Sequence, residues 1–293
     1  LSGDNLRRIA SFSLGNTVLI QNLGLIDGLA SGGVGGAIHN VATLTIENSV
    51  IAGNSAVSGG GIYSSGTLAL RNSRVLDNIA TNGAGLYTLG GTTLIEGSVI
   101  SDNAASQQGG GLFTTAKVRV LQSELSDNTA THGGGIHADT TDAEAVVEYS
   151  TLSGNQATQH GGGIFTSNGV VEVRYSTLAA QHADGKGGGI HIGAGTLRLV
   201  QSTLSANTAA SGGGIHSDNT LATLVLEYAT LADNVADVGG GLFSTGDTTL
   251  DGSVITGSSG SGDCHRANGE IAALNSFIGD GLTCINGAAV GTL

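Results

Sequence analysis

Every 24 to 28 residues this chain repeats one short programme: a Gly cluster, an apolar residue, an alternating run, a Ser, and an Asn followed two places later by Ala. Aligned on the apolar residue after the glycines, the coils begin at Ile38, Ile62, Leu86, Leu112, Ile136, Ile164, Ile190, Ile215 and Leu242. A second column reads Asn54, Asn78, Asn103, Asn128, Asn155, Gln181, Asn207 and Asn234. Ala56, Ala80, Ala105, Ala130, Ala157, Ala183, Ala209 and Ala236 stand two residues further on. Ser49, Ser73, Ser98, Ser123, Ser150, Ser176 and Ser202 form a fourth column, which ends with Ala229. A unit this small cannot bury its own apolar face, whereas a stack of such units can.

Within a coil the period is two. "TLALRNSRV" sends Leu68, Leu70, Ser73 and Val75 to one side and Ala69, Arg71 and Arg74 to the other, which is strand periodicity. No segment keeps apolar residues at helical spacing. The expectation is an all-β chain: a single right-handed parallel β-helix of about 10–11 coils, about three strands per turn and roughly 50 Å of stack at the usual strand spacing. The helix, with its opening coils, is placed at 1–257 and a C-terminal cap segment at 258–293.

Register stacking gives the columns their reasons. A buried file of Asn54, Asn78, Asn103, Asn128, Asn155, Asn207 and Asn234 can pass amide hydrogen bonds from coil to coil. Glycine allows a positive φ or a close backbone approach at a corner. His39, Tyr63, Tyr87, Phe113, His137, Phe165, His191, His216 and Phe243 share one column, so their rings should stack. Glu47, Arg71 and Glu96 share another, as do Glu148 and Arg174, and opposite charges on neighbouring strands attract. Tyr149 and Tyr175 should be neighbours too.

Composition narrows the function classes. Of 293 residues, 51 are Gly and none is Pro, Met or Trp, and aromatics make up 3%, so the core is aliphatic and thin. Ten basic against 23 acidic side chains give a net charge of −13, which repels phosphate backbones and argues against a nucleic-acid partner. No apolar run is long enough for a membrane-spanning helix. No signal peptide is legible at the Leu1 start. Cys264 and Cys284 are the only cysteines; they are expected to pair, which suits an oxidising compartment.

The Gly-Gly-Gly-apolar-aromatic start with an Asn-x-Ala close resembles secreted bacterial right-handed β-helix proteins with repeats like those of chlamydial polymorphic outer-membrane proteins. The tail "GDCHRANGEIAALNSFIGDGLTC" is similar to the cap that follows such repeats in choice-of-anchor surface proteins. The opening "LRRIASFSLGNTVLIQNLGLIDG" resembles the first coils of the same group. Such chains continue into an Asp-Pro-containing segment, so a further anchor or partner-binding tail is expected beyond "AAVGTL". The resemblance implies an extracellular or cell-surface bacterial protein with an adhesin-like, scaffold-like role.

Asp77, Asp102 and Asp127 fall on three successive coils; a Ca²⁺ would relieve their repulsion, but a turn preference also explains them. His191 and His216 could share a metal, yet Tyr and Phe hold the same column. His132 and His160 read as solvated corner residues with no carboxylate at ligand spacing. A glycosidase needs converging carboxylates, and no Asp-Asp pair occurs. A lyase needs a basic residue beside Ca²⁺, and Lys117, Arg119, Arg174 and Arg198 are scattered. The reading is therefore a non-catalytic surface rod or filament subunit, with no cofactor other than an optional Ca²⁺. Its partner would be another copy of itself or an extracellular polysaccharide. A carbohydrate-binding or carbohydrate-cleaving β-helix, and a passenger domain of a larger surface protein, are the alternatives.

Overall fold

A computed structural model describes residues 1–279 and Cys284. Among the described residues all regular structure is β-strand, and every strand pairing is parallel. One coil illustrates the path: Ile62–Ser64, Thr67–Arg71, Arg74–Leu76 and Ile79–Asn82, after which Leu86–Thr88 begins the next. Each strand pairs with the one four places on. The result is three sheets eleven strands deep and a fourth of ten, a parallel β-solenoid. There are four strands per turn where the sequence suggested three. Strands of three residues are too short for alternation to separate them from the bends between them.

The core runs along the axis. In each coil one side chain follows the glycines, two come from the five-residue strand and one from the next strand, as with Ile62, Leu68, Leu70 and Val75, all at most 1% exposed. Registration is like upon like: Leu86 pairs with Leu112 and Tyr87 with Phe113. The three glycines of one corner have separate jobs. Gly133 has φ +64, a conformation costly for side-chain-bearing residues. A Cβ on Gly134 would strike the carbonyl oxygens of Gln156 and Gly162, and one on Gly135 that of Gly163.

The Asn file forms as expected. Asn78 donates its backbone N–H and its Nδ2 to Asn103 Oδ1 (3.1 and 2.9 Å) and its second amide hydrogen to the Ile51 carbonyl (3.1 Å). The same side-chain link joins Asn54 to Asn78, Asn103 to Asn128, Asn128 to Asn155 and Asn207 to Asn234, each at 2.9 Å. Gln181 accepts from Asn155 at 3.0 Å and donates its backbone N–H to Asn207 Oδ1 at 2.9 Å. Its own amide turns back to the Ala179 carbonyl, the longer side chain having overshot the rung.

The Ser column is a second ladder. Ser73 donates its N–H to Ser98 Oγ (3.0 Å) and its hydroxyl to the Arg71 carbonyl (2.7 Å), and the pattern continues through Ser202. At Ala229 the next coil offers Ser202 no hydroxyl; Ser253 and Ser276 then resume the file.

Near the C-terminus Cys264 takes the core position that Leu242 holds one coil earlier and is bonded to Cys284; both are buried. Cys264–Arg266, Ile271–Leu274 and Phe277–Ile278 extend three of the sheets by one strand each. Of the cap segment expected at 258–293, residues 280–283 and 285–293 lie outside the described residues.

Truncating Asn128 to Ala strips Asn103 of the acceptor for two buried donors, and an orphaned buried donor costs on the order of 1–3 kcal/mol. Asn128→Ala is expected to lose about 3 kcal/mol in chemical denaturation. Ala229→Ser gives Ser202 an acceptor and is expected to gain about 1 kcal/mol. A rise in stability for the first variant or a fall for the second would contradict the ladder account.

Candidate functional site

Chemically active side chains concentrate where the ring column meets the Gly corners. The rings of the short strands after each corner point away from the core and stack from His39 to His265, with centroids 4.4–5.5 Å apart. From Phe165 through Phe243 neighbouring rings lie within 4° of parallel. His265 extends the column beyond its expected end.

Although outside the sheet, the histidines in the middle of the file are covered, whereas His265 at its end is exposed. His137, His191 and His216 are 1%, 3% and 2% exposed. Residues from the end of the fourth sheet form a second layer over them. His132 packs on Phe165 (5.1 Å) and on His160 (5.3 Å), and His160 stacks on His191 (5.1 Å). His132 and His160 are therefore half-buried stacking residues, not solvated corners. Asp218, two residues past the ring of its own coil, is the carboxylate that meets the ring-column histidines. Its Oδ1 accepts from His216 Nε2 at 2.8 Å and from Lys186 Nζ at 2.7 Å, and its Oδ2 lies 3.5 Å from His191 Nε2. Asp139 repeats the arrangement, 3.4 Å from His137 Nε2 and accepting the Ser167 hydroxyl at 2.9 Å.

The electrostatics follow from this packing. Burial drives His191 down to about 3, with the neighbouring His216 acting in the same direction. Burial likewise takes His132 to about 4, helped by His160 and His137, and lowers His160. The hydrogen bond from His216, with that from Lys186, holds Asp218 well below the usual carboxylate range. The bond from His137 lowers Asp139. Burial thus favours the neutral imidazole at His132, His160 and His191, which stand beside the Asp218 and Asp139 carboxylates. Among the described residues no group of three or more His, Cys, Asp or Glu is placed to hold a metal ion.

The other expected columns are present. Asp77, Asp102 and Asp127 lie exposed on successive coils, each at positive φ (53°, 59° and 55°). Gly53, Gly154, Ala180 and Asp233 hold the same corner with φ between 55° and 66°, so a left-handed turn is the common demand there. Arg71 lies 3.7 Å from Glu47 and 3.0 Å from Glu96. Lys117 meets Glu144 at 2.8 Å. Glu148 is shared by Arg119 (2.6 Å) and Arg174 (3.7 Å). Glu172, which the sequence reading passed over, joins Arg174 to Arg198, and Arg198 continues to Glu227 at 2.7 Å. Such partly exposed pairs contribute about 0–1 kcal/mol each and serve mainly to align strands. Tyr149 and Tyr175 stack at 4.9 Å and 9°.

In a scan against family models, the Chlamydia polymorphic membrane protein repeat matches residues 149–167. That stretch holds one Asn-x-Ala, one Gly triplet and the ring position Phe165. No curated protein and no solved structure gives a significant match. The chain is a parallel β-helix, and one of its repeats is similar to the polymorphic-membrane-protein repeat. Among the described residues no helix is long and apolar enough to cross a membrane.

Acid should loosen the ring file. In the unfolded chain an imidazole takes up its proton near 6.5; the folded chain keeps His132 and His191 neutral down to about 4 and about 3. Stability contributed by these groups is complete above 6.5 and falls as the pH drops from there toward those values. Asp218 and Asp139 add a loss in the same direction once the pH passes below the ordinary carboxylate value of 3.8. Thermal midpoints should therefore decline from pH 7 to pH 4.5. His191→Phe, a residue the column already accepts at Phe165 and Phe243, should flatten that decline.

Proposed function

We propose that the chain is a surface-displayed β-helical rod with an adhesin-like role and no catalytic activity. The observation that carries this reading is continuity: among the described residues the Asn and Ser ladders, altered only at Gln181 and Ala229, the ring file and the charge ladders run over successive coils. The most reactive cluster supports it from another side. His191 and His216 are closed to a substrate by their burial, and their carboxylate partner is already engaged by Lys186 and His216. The polymorphic-membrane-protein repeat and the Cys264–Cys284 bond suit the outer surface of a bacterium. In this reading the last described strands, stapled by the Cys264–Cys284 bond, close one end of the stack against strand-edge pairing with other chains.

Antibody against the purified rod should label intact cells that make the protein, and electron microscopy should show narrow rods. Neutral and acidic polysaccharides incubated with the protein, with and without Ca²⁺, should release neither reducing ends nor unsaturated products. Labelling that requires permeabilised cells would sink the surface role, and depolymerisation would sink the non-catalytic one.

A further inference from the structure

The corner after each five-residue strand holds an unexplained choice of residue. On successive coils it is Asn72, Gly97, Gln122, Tyr149, Tyr175 and Gln201, and every one has a positive φ, between 44° and 57°. Asn and Gly suit that conformation; a tyrosine is an outlier in it. The strain is not returned as burial in the core, because Tyr149 is 57% and Tyr175 46% exposed. Strained, exposed aromatic residues on an otherwise regular scaffold point to a ligand.

The surroundings say which kind. Tyr175 stacks on Tyr149 at 4.9 Å and so braces its ring. Beside Tyr149, at the coil where Gly97 leaves the corner without a side chain, lies an open groove of about 510 Å³. Gln122, Glu124 and Thr151 line it together with Tyr149 and Gly97. Among the described residues, the side-chain polar groups of Gln122, Glu124 and Thr151 have no partner within the protein. An aromatic ring, a carboxylate, an amide and a hydroxyl facing one groove suit a ligand with an apolar C–H face and an edge of hydroxyls.

No Lys, Arg or His lines the groove, and the chain carries a net charge of −13, so a uronate, sulfate or phosphate would be repelled. An alkylammonium would use the ring and Glu124 but leave the donors of Gln122 and Thr151 idle. We propose that this groove binds a neutral pyranose glycan, one sugar ring resting against Tyr149 and its hydroxyls engaging Gln122, Glu124 and Thr151. Coils spaced at about 4.8 Å match the advance of a pyranose unit, so a chain could lie along the stack axis. The proposal rests on the surface-rod reading for its biological setting and on the corner alone for its chemistry.

The test is a titration of the purified full chain with neutral gluco-, galacto- and manno-oligosaccharides, with oligogalacturonate and choline as further arms, read by calorimetry and by saturation-transfer NMR. At least one neutral oligosaccharide should bind at millimolar concentration or better. Tyr149→Asn should weaken binding by about tenfold or more while leaving the thermal midpoint equal or higher, since Asn relieves the backbone. Gly97→Asn, which refills the corner as Asn72 does one coil earlier, should abolish binding with the fold intact. Tyr228→Asn, at the same corner but outside the groove, should retain it.

Absence of neutral-glycan binding, preference for oligogalacturonate or choline, or undiminished binding by Tyr149→Asn would each overturn the proposal. A lowered midpoint for Tyr149→Asn would also overturn it, by making the ring a packing residue. A null result leaves the rod reading to its own cell-labelling test, and an intracellular location would remove the rod without touching the binding measurement.

Discussion

A file of buried carboxamides through eight successive coils, Asn54 to Asn234, links neighbouring coils, and the rest of the architecture depends on it. Each hydrogen bond of the file contributes only about 0.5–1.5 kcal/mol net, but the alternative is far worse. A slip of one residue would turn Asn78, Asn103 and Asn128 outward and push their exposed neighbours Asp77, Asp102 and Asp127 or Ile79, Ala104 and Thr129 into their places. The file therefore acts less as an adhesive than as a register mark. The Ser ladder repeats the logic at the preceding corner, where each hydroxyl accepts an N–H from the neighbouring coil and returns its proton to a carbonyl two residues back.

With register fixed from inside, the outer surfaces can vary. The five-residue strands use that freedom for alternating charge, which aligns strands at little energetic cost. The short strands after the glycines use it for rings. Histidine fits there because an imidazole stacks like any planar ring while its Nε2 reaches a carboxylate just beyond the strand, as His216 does with Asp218. The consequence is acid sensitivity in a stack that phenylalanine alone would have made indifferent to pH. Corners are freer still, since each asks only for a left-handed residue. Tyr149 and Tyr175 meet that demand at a cost in strain, and there the chain departs furthest from what its fold requires.

The periodic features were legible because the solenoid turns sequence period into spatial neighbourhood. Residues about 25 apart touch, so columns of Asn, Ser, rings and charges could be read as ladders directly. Features that depend on the path of a single coil were not. Four strands per turn were not legible because two of the sheets are made of three-residue strands, and register shifts in the fourth sheet break its alternation. Asp218 was missed because it reaches back one coil to His191 and Lys186 instead of pairing at a column position. Glu172 escaped notice because its partners lie on its own strand and the one after.

By itself the sequence determined the stacking principle: one repeat, one coil, like side chains superposed, and an aliphatic core too thin for any arrangement except mutual burial. Only the tertiary structure decided which outward residues are covered and which stay open. It roofed the histidines with His132, His160 and Lys186, and it left Tyr149 beside a groove. Backbone dihedrals at the corners and the layering of one sheet's end over its neighbour set those outcomes. Neither is written in a column of identical letters.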